Sequence, residues 1–269
     1  GNSNAGAFLA SYDQSGNLLW VKSLIGGATS TSQSSSLDVD VSENVYTTGY
    51  YATTVDFDPN AGVANLTSSG GNDIFIAKYD NLGNYVWAKS MGGSTGWDWG
   101  RSISVDANGN SYVAGTYQNS SVDLDPGAGT SLFNSSGLND CFFGKYNSTG
   151  NLVWVGGIGS VGQDIPNAIE YSENTNNIYV SGLFENSIDA DISAGTSTLT
   201  SNGATDGFLL KYSDTGGYLW SKSIGGTGSD SYQDVAISNG DTLYVTSNFQ
   251  NTVDFDPNAS VENFTSAGG

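Results

Sequence analysis

FIAKYDNLGNYVWAKSM, from Phe75 to Met91, is written four times along this 269-residue chain. Its counterparts are FLASYDQSGNLLWVKSL from Phe8, FFGKYNSTGNLVWVGGI from Phe142 and FLLKYSDTGGYLWSKSI from Phe208. Trp20, Trp87, Trp154 and Trp220 therefore stand 67, 67 and 66 residues apart. A period of this length, built of short apolar runs without helical spacing, belongs to the linear or radial repeat architectures.

The complete unit leading to Trp154 offers four strand-like runs: RSISVDA from Arg101, NSYVAGTY from Asn110, CFFGKYN from Cys141 and NLVWVGG from Asn151. ANGN at 107–110 turns the first run into the second, and NSTGN at 147–151 turns the third into the fourth. Runs such as Ile74-Phe75-Ile76-Ala77 are apolar on both faces, which suits a sheet packed between two neighbours. The expectation is an all-β fold, a β-propeller of four-stranded blades in a single domain. Repeats fall at about 1–71, 72–138, 139–204 and 205–269, and blades at about 28–93, 94–160, 161–226 and a composite of 227–269 with 1–27. The N-terminal segment holds the third and fourth strands of a unit and the C-terminal segment the first two. Pairing of the two ends would close a four-blade ring and remove open sheet edges; the alternative is a segment of a larger propeller or array. The longer stretch between second and third strands, such as 118–140, is expected to project from the rim as a hairpin.

The balance of 7 basic against 27 acidic residues gives a net charge of −20, which repels phosphates and anionic lipid. Nucleic acid and membrane insertion are excluded as expected partners, and no apolar stretch is long enough to span a bilayer. The absence of histidine removes Ser-His-Asp and Cys-His catalysis, histidine zinc sites and imidazole general bases. Cys141, the single cysteine, reads as a small buried hydrophobe within CFFGKY.

The succession YDxxGNxxW, a Lys-Ser and Gly-Gly pair, IxVDxxGNxYVxG and VDFDPxxG resembles the bacterial β-propeller repeat family labelled SBBP, found in secreted and surface proteins. The resemblance covers essentially the whole chain and implies an extracellular or cell-surface location without implying one activity. The spacing of Asp13, Gly16 and Trp20, and of Asp80, Gly83 and Trp87, is also similar to the tryptophan-docking motif of quinoprotein dehydrogenase propellers. That likeness implies that Trp20, Trp87, Trp154 and Trp220 wedge between adjacent blades. No quinone cofactor is implied, since the adjacent cysteine pair of that fold is missing.

Paired carboxylates recur in the insert: Asp56 and Asp58 with Asn60, Asp123 and Asp125, Asp189 and Asp191, and Asp254 and Asp256 with Asn258. Residues i and i+2 of a strand face the same way, so each pair offers a hard cation such as Ca2+ two oxygen-rich groups. Against this, six of the seven basic residues sit at two repeat positions, Lys78, Lys145 and Lys211, and Lys22, Lys89 and Lys222, which suggests recurrent ion pairs with these aspartates. Calcium is the one cofactor the pattern admits. The loop GWDWGR breaks the repeat, and Trp97, Asp98, Trp99 and Arg101 form a candidate stacking site for a sugar or aromatic ligand, with packing against the next blade as the competing reading. Asp98 recurs as Asp164 and Asp230, which suggests that it orders the loop.

The expected function is a secreted, non-enzymatic interaction or adhesion scaffold at a bacterial surface, with protein or glycan as partner. Two alternatives stand beside it: a self-assembling structural subunit of an extracellular fibre, and a carboxylate-dependent glycan-binding or glycan-cleaving protein using Trp97 and Trp99.

Overall fold

A computed structural model describes residues 6–26, 30–258 and 260–267. The chain begins with a hairpin, β1 (Phe8–Tyr12) and β2 (Leu18–Ser23), followed by the short β3 (Ile25–Gly26). The first complete blade is β4 (Thr31–Val39), β5 (Val45–Asp56), β6 (Asn65–Tyr79) and β7 (Tyr85–Met91), paired antiparallel in that order. The second consists of β8 (Trp99–Val105), β9 (Ser111–Tyr117), a two-stranded arm β10 (Val122–Asp123) and β11 (Leu132–Phe133), then β12 (Asp140–Tyr146) and β13 (Leu152–Ile158). The third repeats this plan with β14 (Asp164–Ser172), β15 (Asn177–Phe184), the arm β16 (Ser187–Asp189) and β17 (Thr198–Thr200), β18 (Asp206–Ser213) and β19 (Tyr218–Ile224). A last hairpin, β20 (Ser231–Ile237) and β21 (Leu243–Asn248), carries its own arm, β22 (Thr252–Asp254) and β23 (Asn263–Thr265).

The two-faced apolar runs become the middle strands of blades. All of β9 is buried, as are Ile74, Phe75, Ile76 and Ala77 of β6, because each sheet is covered on both sides by neighbours. First strands are stitched across blades by side chains: Ser36 Oγ and Asp38 Oδ2 accept from the N–H groups of Ile103 and Val105, and Ser102 and Ser104 accept from Ile169 and Tyr171 one blade on.

Two expectations need correction. The insert does not project. In V-D-L-D the apolar members turn inward, so Val55, Phe57, Val122, Leu124, Ile188 and Ala190 are fully or almost fully buried, and the arm bonds back to the end of the preceding blade, Ile25 and Gly26 pairing with Asp56 and Val55 and Gly92 with Asp123. Burying the apolar face of the arm outweighs leaving it in water at roughly 25 cal/mol per Å².

Nor do the ends join. Among the described residues β1–β2 and β20–β21 are separate two-stranded sheets, so the ring closed by the composite blade is not the arrangement of this structure. Each half-blade is held by its neighbour instead: Ala7, Leu9 and Leu24 pack with Tyr51, Val55 and Phe57, and Tyr232 and Val235 with Ala168 and Leu209. Tyr244 on β21 stays 64% exposed and Phe8 on β1 66%, whereas Tyr112, which holds the place of Tyr244 in a complete blade, is fully buried. A groove of about 360 Å³ between β1 and β4, lined by Leu9, Tyr12, Trp20, Leu37 and Val39, lies where a complete blade would place its second strand.

Candidate functional site

The D-x-D aspartates build the insert loop. Asp56 Oδ1 accepts from the N–H groups of Asp58 at 3.0 Å and Ala64 at 2.8 Å, closing eight residues, while Asp58 Oδ1 accepts from Asn60 N–H at 2.9 Å. Asp123 accepts likewise from Asp125 and Ser131, Asp189 from Asp191 and Ser197, and Asp254 from Asp256 and Glu262. Asp125, Asp191 and Asp256 each hold the N–H two residues on. These are Asx turns, formed because a short carboxylate competes well for nearby backbone donors. Among the described residues no group of three or more acidic or thiol side chains is placed to hold a metal.

The lysines go elsewhere. Lys22 and Lys222 donate to Asn60 Oδ1 at 2.7 Å and Asn258 Oδ1 at 3.0 Å, tying a fourth strand to the next insert. The ion pairs found among the described residues use turn aspartates: Lys78 with Asp40 at 3.5 Å and Lys145 with Asp214 at 3.2 Å. The expected pairing of lysines with D-x-D carboxylates is thus replaced, among the described residues, by amide contacts and turn-aspartate pairs.

GWDWGR divides its side chains. Trp97 is 66% exposed. Trp99 is half-buried; its Nε1–H donates to Ser35 Oγ at 2.6 Å, its ring meets Tyr50 edge-on at 5.1 Å, and the Arg101 guanidinium lies 4.4 Å from its centroid. Among the described residues no ring contact joins the two indoles, and burial pulls the Arg101 guanidinium below its ordinary pKa. Trp97→Ala is expected to leave stability within about 0.5 kcal/mol. Trp99→Ala should cost about 1.5–3 kcal/mol through the lost Tyr50 and Arg101 contacts; urea unfolding of both variants checks this.

The docking tryptophans repeat one contact. Trp20, Trp87 and Trp154 donate from Nε1 to the carbonyls of Asn81, Ser148 and Asp214 in the turn of the following blade. Each indole covers that turn's glycine: a Cβ on Gly83 would lie 2.9 Å from Trp20, one on Gly150 3.0 Å from Trp87, and one on Gly216 2.9 Å from Trp154. Trp220 packs on Tyr179, 6.2 Å between ring centroids.

Sequence reasoning missed a second recurrent aspartate in the third strand, Asp73 within β6, Asp140 opening β12 and Asp206 opening β18, between 0 and 2% exposed. Its signal was present in NDIF, NDCF and TDGF. The charge of Asp73 acts on Asp98 across one inter-blade seam, that of Asp140 on Asp164 across the next, and that of Asp230 on Asp206 across the third. Asp98 orders its loop by accepting from Gly93 N–H at 2.8 Å and Gln118 N–H at 3.0 Å. Burial, outweighing those hydrogen bonds and assisted by the charge of Asp73, pushes Asp98 up to about 7; burial, with Asp140 nearby, pushes Asp164 up to about 6.

Comparison with known proteins fits this frame. Residues 86–116 match the family model described as Beta-propeller repeat. An uncharacterized WD repeat-containing protein of Acanthamoeba polyphaga mimivirus is 27% identical over 241 residues, 79% of this chain and 17% of that protein. The Regulatory protein FlaEY of Caulobacter vibrioides is 26% identical over 173 residues, 63% of this chain and again 17% of that protein. The chain therefore spans about one sixth of the length of these curated relatives.

Proposed function

We propose that this array is a non-catalytic interaction scaffold, working at an extracellular bacterial surface as part of a larger assembly of repeats. One observation carries the reading: carboxylates that could do acid–base chemistry recur at repeat spacing and hold backbone N–H groups, as Asp56, Asp123, Asp189 and Asp254 do in the inserts and Asp98, Asp164 and Asp230 do at the seams. A catalytic pair is ordinarily unique in a protein, whereas architecture is repeated with the blades. The acidic surface and the SBBP resemblance support the extracellular setting. Trp97, exposed and present in one blade only, is the contact point for a protein or glycan partner, since an indole combines a large apolar face with one donor.

The test is a glycan and surface-protein array probed with wild type and Trp97→Ala, together with a turnover assay on the same glycans. Binding that falls at least tenfold in Trp97→Ala with no turnover is expected. Catalytic cleavage of any glycan would overturn the scaffold reading, and binding indifferent to Trp97 would remove that residue from it.

A further inference from the structure

We propose that the two half-blades are complementary parts of one blade shared between copies of this chain, with β21 of one copy pairing antiparallel with β1 of the next. The joint goes beyond the partner contact at Trp97 and stands whether or not that contact exists.

Both edges are open among the described residues, since β1 pairs only with β2 and β21 only with β20. An unpaired edge offers a row of N–H and C=O groups to another strand. The register of the joint follows from the complete blades, where second and third strands always meet in one way. Val45 faces Tyr79 and Tyr46 faces Lys78 in the first, Ser111 faces Tyr146 and Tyr112 faces Lys145 in the second, and Ile178 faces Tyr212 and Tyr179 faces Lys211 in the third. The same register sets Leu243 opposite Tyr12, Tyr244 opposite Ser11 and Val245 opposite Ala10. Tyr12, Tyr244 and Val245 are exposed in a single copy, whereas Tyr79, Tyr112 and Val113, which hold their positions in complete blades, are fully buried.

The charges fit as well. In the first blade Lys78 of the third strand donates to Tyr46 Oη and pairs with Asp40 in the turn before the second strand. The open edges carry Ser11 and Ser238 at these two positions, so joining them buries no unmatched charge there.

A receiving surface is already shaped. The groove of about 360 Å³ beside β1 is continued by a second recess of about 420 Å³ along Phe8, Ala10, Ser34, Ser36 and Leu37, so apolar surface follows the length of the strand. In complete blades the second-strand tyrosine packs on the tryptophan of its own blade, Tyr46 on Trp87 at 6.0 Å and Tyr179 on Trp220 at 6.2 Å between ring centroids. Trp20 lines the groove and is the indole that Tyr244 of a second copy would meet. One position is less well matched. A Cβ on Gly49, Gly115 or Gly182 would come within 3.0, 2.6 or 2.7 Å of the third-strand Phe75, Phe142 or Phe208, and Ser247 holds that position opposite Phe8. The shared blade therefore packs less tightly than a blade within one chain, which makes the joint reversible. A head-to-tail contact of this kind closes into a ring where the rotation permits and otherwise grows into a filament.

The experiment is sedimentation velocity of this chain across a wide range of concentration and salt. Dimers or longer species are expected to grow with concentration, and with salt, because copies of net charge −20 repel. Tyr12→Lys and Tyr244→Lys should each weaken assembly at least tenfold by forcing an ammonium into the joint. Both side chains are exposed in a single copy, so the fold is retained, and lysine lowers the general repulsion, so a loss of assembly reports on the joint. Mixing the two variants should restore a dimer, since each keeps the edge that the other has lost. An oxidised mixture of Ala10→Cys and Val245→Cys chains should form an intermolecular disulfide, the native Cys141 being buried. A wild type that stays monomeric throughout, assembly that survives both lysine substitutions, or a mixture that fails to associate would overturn the proposal. So would a disulfide formed within a monomer carrying both cysteines, which would mean that the edges meet inside one chain.

Discussion

Replacing Trp87 by alanine is expected to destabilise the chain by about 3 kcal/mol, the lower end of the range for removing a large aromatic from a core, since the indole keeps one edge in solvent. The loss has three sources. The Nε1–H bond to Ser148 O, 3.1 Å long, disappears; the edge contact with Tyr46, 6.0 Å between centroids, goes with it; and the turn glycine Gly150 loses its cover. Gly150 has φ of +76°, a conformation that strains any β-branched residue, so Gly150→Val should cost at least as much by pushing a side chain into Trp87 and Lys89. Because both substitutions break one contact, their effects should fall short of additivity, and a double-mutant cycle by urea unfolding measures the shortfall. Full additivity, or an unchanged melting temperature in Trp87→Ala, would mean that the indole does not couple the blades.

The same repetition explains what could be read without coordinates. One YDNLGNYVW is a weak turn-and-strand signal, but four copies at fixed period make the blade pattern legible, including the glycine that each turn requires. The insert was harder because V-D-L-D carries two messages: aspartates on one face and apolar residues on the other. Attention to the carboxylates missed the burial of Val122 and Leu124. Lysine partners lie across blades, as Lys22 to Asn60 and Lys145 to Asp214 show, and periodicity alone names no cross-blade neighbour. Whether the two ends meet depends on small rotations accumulated over more than 200 residues, which leave no local trace in Phe8 or Tyr244. Asp73 and Asp98 are 25 positions apart in sequence, and only the stacking of blades lets the charge of one act on the other.

The burial of these carboxylates has a direct consequence for stability. The chain is expected to be more stable near about pH 5 than near about pH 8, by about 2–3 kcal/mol at the Asp98 seam and about 1 kcal/mol at the Asp164 seam, or several degrees in melting temperature. Burial raises Asp98 to about 7 and Asp164 to about 6, each from an ordinary 3.8, and burial beside Asp38 and Asp234 raises Glu170 to about 7. A carboxyl whose folded pKa lies above its unfolded one is proton-rich in the native state. Its contribution is therefore complete below the unfolded value and lost as pH rises through the folded value, here across about pH 4 to 7. The acid limit is set by groups shifted the other way: Asp40 and Asp80, held below the ordinary range by Asn44 and Asn84 in spite of some burial, lose their stabilising hydrogen bonds as they protonate. Stability should accordingly peak in mild acid. At the first seam Gly6 and Ser32 hold the positions of Asp73 and Asp98, and Ser32 Oγ accepts from Ala7 N–H, a neutral solution. Asp73→Gly combined with Asp98→Ser transplants that neutral seam into the second, and although it removes acceptors for Gly93 and Gln118, it should flatten that seam's share of the pH dependence. A slope between mild acid and mild alkali as steep as that of the wild type would show that the seam carboxylates are not its source.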